Sequence, residues 1–351
     1  MSSSVRDSSP TERRGLVTGI LGLGLAIALL VWTLHDISFD DFAARVQQAN
    51  LAWFCAAVLL AFLTLPIKVL RWQELLRATG DVPSFGALWH AAAIGLLVNN
   101  LLPARAGEFA SAYAARELCG RRFSTTFASI VVERVFDGIT IIALLAITVI
   151  AGGADLSSDV GGVSLLWVGV IGCAAFGGVF LFLCAIAKWP QFFVSKTTEF
   201  IAKVTNDTIG ERVAALGDGL LLGLGALQTL RRLSLVLSWS ILMWLVNTAS
   251  IWAGFVAFGL GASWHVAVVL QVVIAISVIL PPAPGFFGVF EAANRVVLTL
   301  YGVVAAAAVS FAVSYHMTLF VISSLIGLWS LWRSKILWSQ ISRASRASEA
   351  P

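Results

Sequence analysis

The chain has 351 residues, of which 59% are hydrophobic and only 12% are charged, and its mean hydropathy is +0.90. An ordinary soluble domain has about 25% charged residues, because its surface must be covered with them. The composition therefore excludes a soluble globular domain, and it also excludes disordered and collagen-like chains. Long continuous apolar runs predict an all-α polytopic membrane protein, since a helix satisfies its own backbone in lipid.

Six stretches have the roughly 20 mostly apolar residues that a full transmembrane helix needs. They are 16–34, 51–70, 126–151, 163–187, 233–258 and 304–332. The first follows Arg13 and Arg14 and has no evident cleavage site, so we predict an uncleaved signal anchor. Two further apolar regions, 85–102 and 264–300, contain helix-breaking residues and are not simple spans.

Basic residues predict the orientation, because cytoplasmic segments of membrane proteins are enriched in Lys and Arg. The N-terminal tail, the 188–232 segment and the C-terminal tail are basic, whereas the 35–50 and 152–162 loops are mainly acidic. We therefore predict a multi-pass protein of the cell inner membrane, with both termini in the cytoplasm. The pI of 9.1 reflects this topology and not nucleic-acid binding.

The predicted organisation is a single integral membrane domain over 1–351, with cytoplasmic tails at 1–14 and 339–351. The 188–232 segment alternates charged and apolar residues. Such a pattern fits an amphipathic helix on the cytoplasmic surface, and it fits an ordinary cytoplasmic connector equally well.

With these orientations, 85–123 and 259–303 must each start and end on the same side of the membrane. We predict two broken re-entrant hairpins that enter from opposite faces. Paired interrupted segments of this kind are typical of transport sites in inverted repeats, so an inverted repeat is predicted. Eight or more full spans are the alternative. The hairpin-tip residues are Asn99, Asn100, Pro103, Gly107, Pro281, Pro282, Pro284, Gly285 and Gly288.

Ionisable residues inside apolar segments are energetically costly and therefore need a partner or a function. Arg105 follows a proline, and its planar guanidinium suits phosphate oxygens. Glu133 and Asp137 are four residues apart and share a helix face, as do Glu291 and Arg295. Ion pairs that lock the hairpins are the alternative reading for all of them. The candidate residues for headgroup binding or gating are Arg105, Glu108, Glu133, Arg134, Asp137, Glu291 and Arg295.

Lys68 and Arg71 end the second predicted span and are interpreted as interfacial residues that reach up to the headgroups. Basic residues at such a place also attract anionic lipid. The sequence contains no GxxxxGK[ST], HExxH or GxSxG motif, and its four cysteines lack CxxC spacing. We therefore predict no metal and no cofactor, and the sequence favours a transporter over an enzyme.

Three blocks in chain order carry a family resemblance: NNLLPARAGE at 99–108, ERVFDG at 133–138 and PPAPGFFGVFE at 281–291. Over about 15–335 the sequence resembles the lysylphosphatidylglycerol synthase transmembrane region family, also called flippase-like integral membrane proteins. We expect a stand-alone member without the soluble synthase domain. The resemblance implies lipid movement between leaflets, with roles for Arg105, Glu108, Glu133, Arg134, Asp137 and Glu291.

The expected function is that of a lipid translocase, in which the headgroup of a phospholipid, glycolipid or isoprenoid-linked lipid passes through a polar cavity between the hairpins. Expected partners are membrane lipids, either anionic phospholipid or glycolipid, together with a second copy of the chain or a lipid-biosynthesis enzyme. The alternative is a membrane enzyme or accessory subunit of aminoacyl or glycosyl transfer. A purely structural scaffold explains the ionisable residues beside the broken helices poorly.

Overall fold

The computed structural model describes residues 23–77, 79–102, 106–152, 159–160, 163–189, 192–193, 229–277 and 284–336. These residues are overwhelmingly helical, and the predicted all-α membrane class is confirmed. The helices are α1 (Leu23–Leu34), α2 (Phe39–Gln48), α3 (Leu51–Arg77), α4 (Phe85–Leu101), α5 (Ala106–Cys119), α6 (Phe123–Ile150), α7 (Leu165–Lys188), α8 (Leu230–Ala257), α9 (Trp264–Ser277), α10 (Val289–Leu300) and α11 (Ala305–Ser334). Two-residue strands β1 (Asp159–Val160) and β2 (Val163–Ser164) pair antiparallel before α7.

Helices occupy the described part of every predicted span. Within the described residues, α3, α8 and α11 are long and apolar enough to cross a membrane, and α1 with α2 would form a fourth span bent by 79°. Helix α6 has 28 residues but carries three charged side chains in its first half. Helix α7 has 24 residues and is strongly apolar.

The two interrupted regions form pairs of short helices, as the sequence predicts. Helix α4 has 17 residues and α5 has 14, while α9 has 14 and α10 has 12. At 1.5 Å per residue these arms are about 18–26 Å long, which is less than the roughly 30 Å hydrocarbon core. Helix α4 packs against α5, and α9 packs against α10. Their entry from opposite faces, and the inverted repeat, stay predictions.

The first hairpin closes tightly because glycines face each other across it. A Cβ built on Gly95 would lie 2.7 Å from the carbonyl oxygen of Gly107, and one on Gly107 would clash with the carbonyl oxygen of Gly95. The side chain of Asn99 accepts a hydrogen bond from the backbone N–H of Gly107 at 2.8 Å. This bond satisfies one free N–H at the start of α5, so the two arms are joined at the break.

Helix α3 packs along α8, and their opposite ends meet at the two ends of the bundle. At one end the backbone N–H of Asn50 donates to the carbonyl of Ala257 at 2.8 Å. At the other end Arg77 and Arg231 line the same surface pocket. One apolar core surrounds the first hairpin, and a second one joins α8, α9, α10 and α11.

Several predicted features lie outside the described residues. These are both tails, nearly all of the 188–232 segment, and four of the tip and site residues, namely Pro103, Arg105, Pro281 and Pro282.

Candidate functional site: a buried ion cluster and its cavity

Arg71 stands at the centre of a buried cluster of charged side chains. Its guanidinium lies 2.8 Å from Oε1 of Glu133 and 2.5 Å from Oδ1 of Asp137, and it donates to Oγ of Ser240 at 2.8 Å. The side chain of Arg71 is 0% exposed. Its interpretation as an interfacial residue is therefore wrong, because two carboxylates from α6 hold it in the protein interior.

Lys68 and Arg134 complete the cluster around Glu133. The ammonium of Lys68 lies 3.6 Å from Oε1 of Glu133, and Arg134 lies 3.5 Å from the same atom. Arg134 also reaches Asp137 at 3.4 Å and Glu108 at 4.0 Å. Three positive and three negative side chains thus balance one another, which is how charges are tolerated in a low-dielectric interior.

Helix α8 supplies two polar partners that sequence reasoning missed. Nε1 of Trp244 donates to Oδ1 of Asp137 at 3.0 Å, four residues after Ser240 reaches Arg71. Thr248, four residues further, donates to Gln271 of α9 at 3.0 Å. The signal in the sequence is a polar stripe at i, i+4 spacing through an otherwise apolar span, and such a stripe marks a helix face turned to protein.

The cluster borders a cavity of about 170 Å³ between α3, the first hairpin and α6. Phe286, from the tip of the second hairpin, also lines it, so both broken regions contribute to one space. Trp72 forms part of the wall, while its Nε1 donates to Ser129 at 2.8 Å. The polar lining consists of Lys68, Asn99, Glu108, Ser111, Glu133 and Arg134.

Hydrogen bonding at the cavity is incomplete even though the charges are paired. Both carboxylate oxygens of Glu133, Oε2 of Glu108 and Nε of Arg134 are buried without a hydrogen-bond partner among the described residues. The ion-pair contacts to Glu133 are close enough for attraction but are not aligned as hydrogen bonds, which need angles above about 120°. Buried groups left in this way are rare and indicate a bound molecule or water.

Glu291 and Arg295 do not join this cluster, contrary to the idea that all the candidate residues meet in one polar site. Glu291 caps its own helix: Oε2 accepts from the N–H of Gly288 at 2.7 Å, and Oε1 lies 2.6 Å from Nδ1 of His316. The ring of His316 lies between those of Phe287 and Phe290. Glu291 and His316 thus fix the start of α10 against α11.

Arg295 instead ties α10 to the turn after α1. It donates to both carboxylate oxygens of Asp36 at 2.7 and 2.6 Å and to the carbonyl of Thr33 at 2.6 Å. The hydrogen bond from Arg295 holds the pKa of Asp36 below its ordinary value of 3.8. This contact is a structural clamp at the protein surface.

The remaining tip residues have mostly structural contacts. Asn100 donates to the hydroxyls of Ser323 and Ser324 in α11, both at 2.9 Å, and so anchors the first hairpin. Gly285 and Gly288 have φ angles of 63° and 81°, which favour glycine, while Pro284 begins a single turn of 3-10 helix. Within the described residues no group of three or more His, Cys, Asp or Glu side chains is placed to hold a metal.

Comparison with known proteins places these features in a family context. A sequence model of the lysylphosphatidylglycerol synthase transmembrane region matches residues 19–327. The chain is 28% identical to a glycosyltransferase, AglD, of Haloferax volcanii, over 87% of its own length but only 52% of that relative. It is 23% identical to a UPF0104 membrane protein of Methanothermobacter thermautotrophicus, over 91% of the chain and 93% of the relative. A second alignment to such a protein of the same organism is 30% identical but covers 38% of each chain.

Proposed function

Because the chain belongs to the lysylphosphatidylglycerol synthase transmembrane region family, we propose that it is a lipid translocase. The headgroup of a phospholipid, glycolipid or isoprenoid-linked lipid passes through the cavity beside Glu133 while the acyl chains stay in the bilayer. We further propose that the protein resides in a cell inner membrane with both termini in the cytoplasm, and that lipid alone is its cargo.

The observation that carries the proposal is a polar cavity deep within helices that are otherwise apolar. Glu133 follows the first residue of α6 by ten positions, or about 15 Å of helix. A charged side chain at that depth costs about 2.5–3.5 kcal/mol on insertion scales, so a site that retains six of them needs a reason. Replacing the water around a crossing headgroup is such a reason.

Broken helices beside the cavity support the same conclusion. Both hairpins are too short to span the hydrocarbon core, and each ends at the level of a polar or glycine-rich tip. Transport sites of membrane proteins are typically formed by such interrupted helices, because their ends present unpaired backbone groups to the cargo. Arg71 then serves as a positioning residue that holds Glu133 and Asp137 in place.

The test is headgroup movement between leaflets in proteoliposomes, followed with fluorescent lipids that an impermeant reductant bleaches from the outside. We expect the wild-type protein to speed movement over empty liposomes, and Arg134→Gln to lower the rate by about tenfold or more. The matched control is Arg116→Gln, since Arg116 is an exposed residue near the end of α5. A wild-type rate equal to that of empty liposomes rejects the translocase.

Glycosyl transfer is the second candidate, favoured by the printed name of the Haloferax relative. The chain spans about half the length of that relative, so its activity need not reside in the shared part. Incubation of the purified protein with a labelled sugar donor and membrane lipid separates the two functions. Turnover of the donor without leaflet transfer favours the enzyme, and leaflet transfer without turnover favours the translocase.

A further inference from the structure

The charges that line the cavity cancel. Lys68 and Arg134 are positive and Glu108 and Glu133 are negative, while Arg71 and Asp137 behind them form another balanced pair. A ligand group with a net charge would lose its hydration here and gain no compensating excess of opposite charge. The charge balance therefore favours a group that is neutral.

Hydrogen-bonding capacity in the same cavity is unused on both sides. Glu133, which is 0% exposed, and Glu108 offer buried acceptor oxygens without partners among the described residues, and Arg134 offers a buried Nε–H donor. Each such group costs about 1–3 kcal/mol when it is left unpaired. A hydroxyl group is the neutral group that both donates and accepts, so several hydroxyls on one ligand answer the whole set.

Charged headgroups answer it less well. A phosphate presents acceptors only and leaves the oxygens of Glu133 and Glu108 unpaired. An ammonium presents donors only, and it would have to compete with Lys68, Arg71 and Arg134 for Glu133. A quaternary ammonium has no N–H to donate. Hydroxyls leave the existing ion pairs intact.

The walls suit a ring or short chain that carries hydroxyls. Trp72 and Phe286 supply apolar surface beside the polar groups, and a sugar or glycerol unit has C–H faces as well as hydroxyl edges. The volume of about 170 Å³ is far above the roughly 10–15 Å³ that a single water needs. We propose that this cavity binds the uncharged polyol part of a lipid headgroup, a sugar or glycerol unit. The inference rests on the translocation proposed above.

The experiment measures lipid binding to the full chain by native mass spectrometry. The probes are glucosyl-diacylglycerol, phosphatidylethanolamine and phosphatidylcholine with identical acyl chains. We expect the glucosyl lipid to bind at least about tenfold more tightly than the other two, since one hydrogen bond to a charged group is worth about that much. Glu133→Gln should reduce this preference to near parity, because it replaces an acceptor with a donor and leaves the cluster with an excess positive charge.

Glu117→Gln is the matched control, since Glu117 lies at the exposed end of α5, and it should keep the wild-type preference. If Glu133→Gln fails to fold, Glu108→Gln provides the test, because Glu108 has one ion pair, at 4.0 Å, among the described residues. Equal affinity of the wild-type protein for all three lipids overturns the inference, and so does a glucosyl preference that both cavity variants retain.

Leaflet movement of the same lipids separates this inference from the proposed function. If all three lipids move at equal rates, the polyol site is wrong and the translocase stands. If the glucosyl lipid binds in a Glu133-dependent way but does not move, the polyol site stands and the translocase is wrong.

Discussion

At the scale of single residues, the main lesson is that one arginine organises the charged cluster. Arg71 contacts carboxylates four residues apart on α6 and a hydroxyl on α8, so it joins three helices in a region without water. Its two carboxylate partners would otherwise repel each other at low dielectric. The position of Glu133 at the cavity therefore depends on a residue that does not itself line the cavity.

Arg71→Met should destabilise the protein by about 3–5 kcal/mol, because it leaves Glu133 and Asp137 buried without their main counter-charge. The measurement is the midpoint of thermal unfolding in a mild detergent. Combining Arg71→Met with Glu133→Gln and Asp137→Asn should recover much of the loss, since no uncompensated charge then remains. An unchanged midpoint for the single variant would show that Arg71 is not needed to stabilise the cluster.

At the scale of elements, close backbone approach determines how the first hairpin forms. Gly95 and Gly107 allow α4 and α5 to touch, and Gly327 lets α11 approach α4, where a Cβ would meet the carbonyl of Ala93 at 2.8 Å. The tip is thus held by backbone packing on two sides and by Asn100 on α11. Small residues at helix contacts are the usual means of association in membranes, where the hydrophobic effect does not drive it.

Gly107→Ala should destabilise the protein by about 1–3 kcal/mol, because its methyl group overlaps Gly95 and Asn99. Gly86→Ala is the matched control on α4, since a Cβ there meets nothing within 4 Å. Thermal unfolding of the two variants in the same detergent makes the comparison. Equal midpoints for both would mean that the hairpin is not packed as tightly as the backbone geometry indicates.

At the scale of the whole molecule, the ends of the helices sort by charge. Arg77, Arg231 and Arg232 meet at one end of the bundle, and Arg121 donates to the backbone of Thr79 there. The opposite end gathers aromatic contacts, such as Trp53 against Trp252 at 6.0 Å. This asymmetry is what the positive-inside rule needs, and it supports the proposed cytoplasmic location of the basic end.

The proposed orientation predicts which cysteines a membrane-impermeant maleimide labels in intact cells. In a background without Cys55, Cys119, Cys173 and Cys184, Gln47→Cys should be labelled from outside because it lies in the predicted external loop. Lys335→Cys, at the end of α11, should be labelled only after the cells are opened. The reverse pattern would invert the topology, and labelling of both sites in intact cells would place them on one side.

The sequence by itself determined the membrane class, the places of the helices and the two interruptions. Each depends on local properties, namely apolar length, charge bias and the backbone demands of Gly and Pro. It also identified Glu133, Arg134, Asp137 and Glu108 as candidates, because a charge inside an apolar segment is conspicuous without any knowledge of its neighbours.

Only the tertiary structure decided which of those residues meet. Arg71 at the end of an apolar run has the sequence pattern of an interfacial residue, and its burial depends on carboxylates 62 and 66 positions away in α6. Glu291 and Arg295 share a helix face with each other but find His316 and Asp36 as partners. Local spacing fixes the face on which a side chain lies, whereas packing between distant helices fixes what that face contacts.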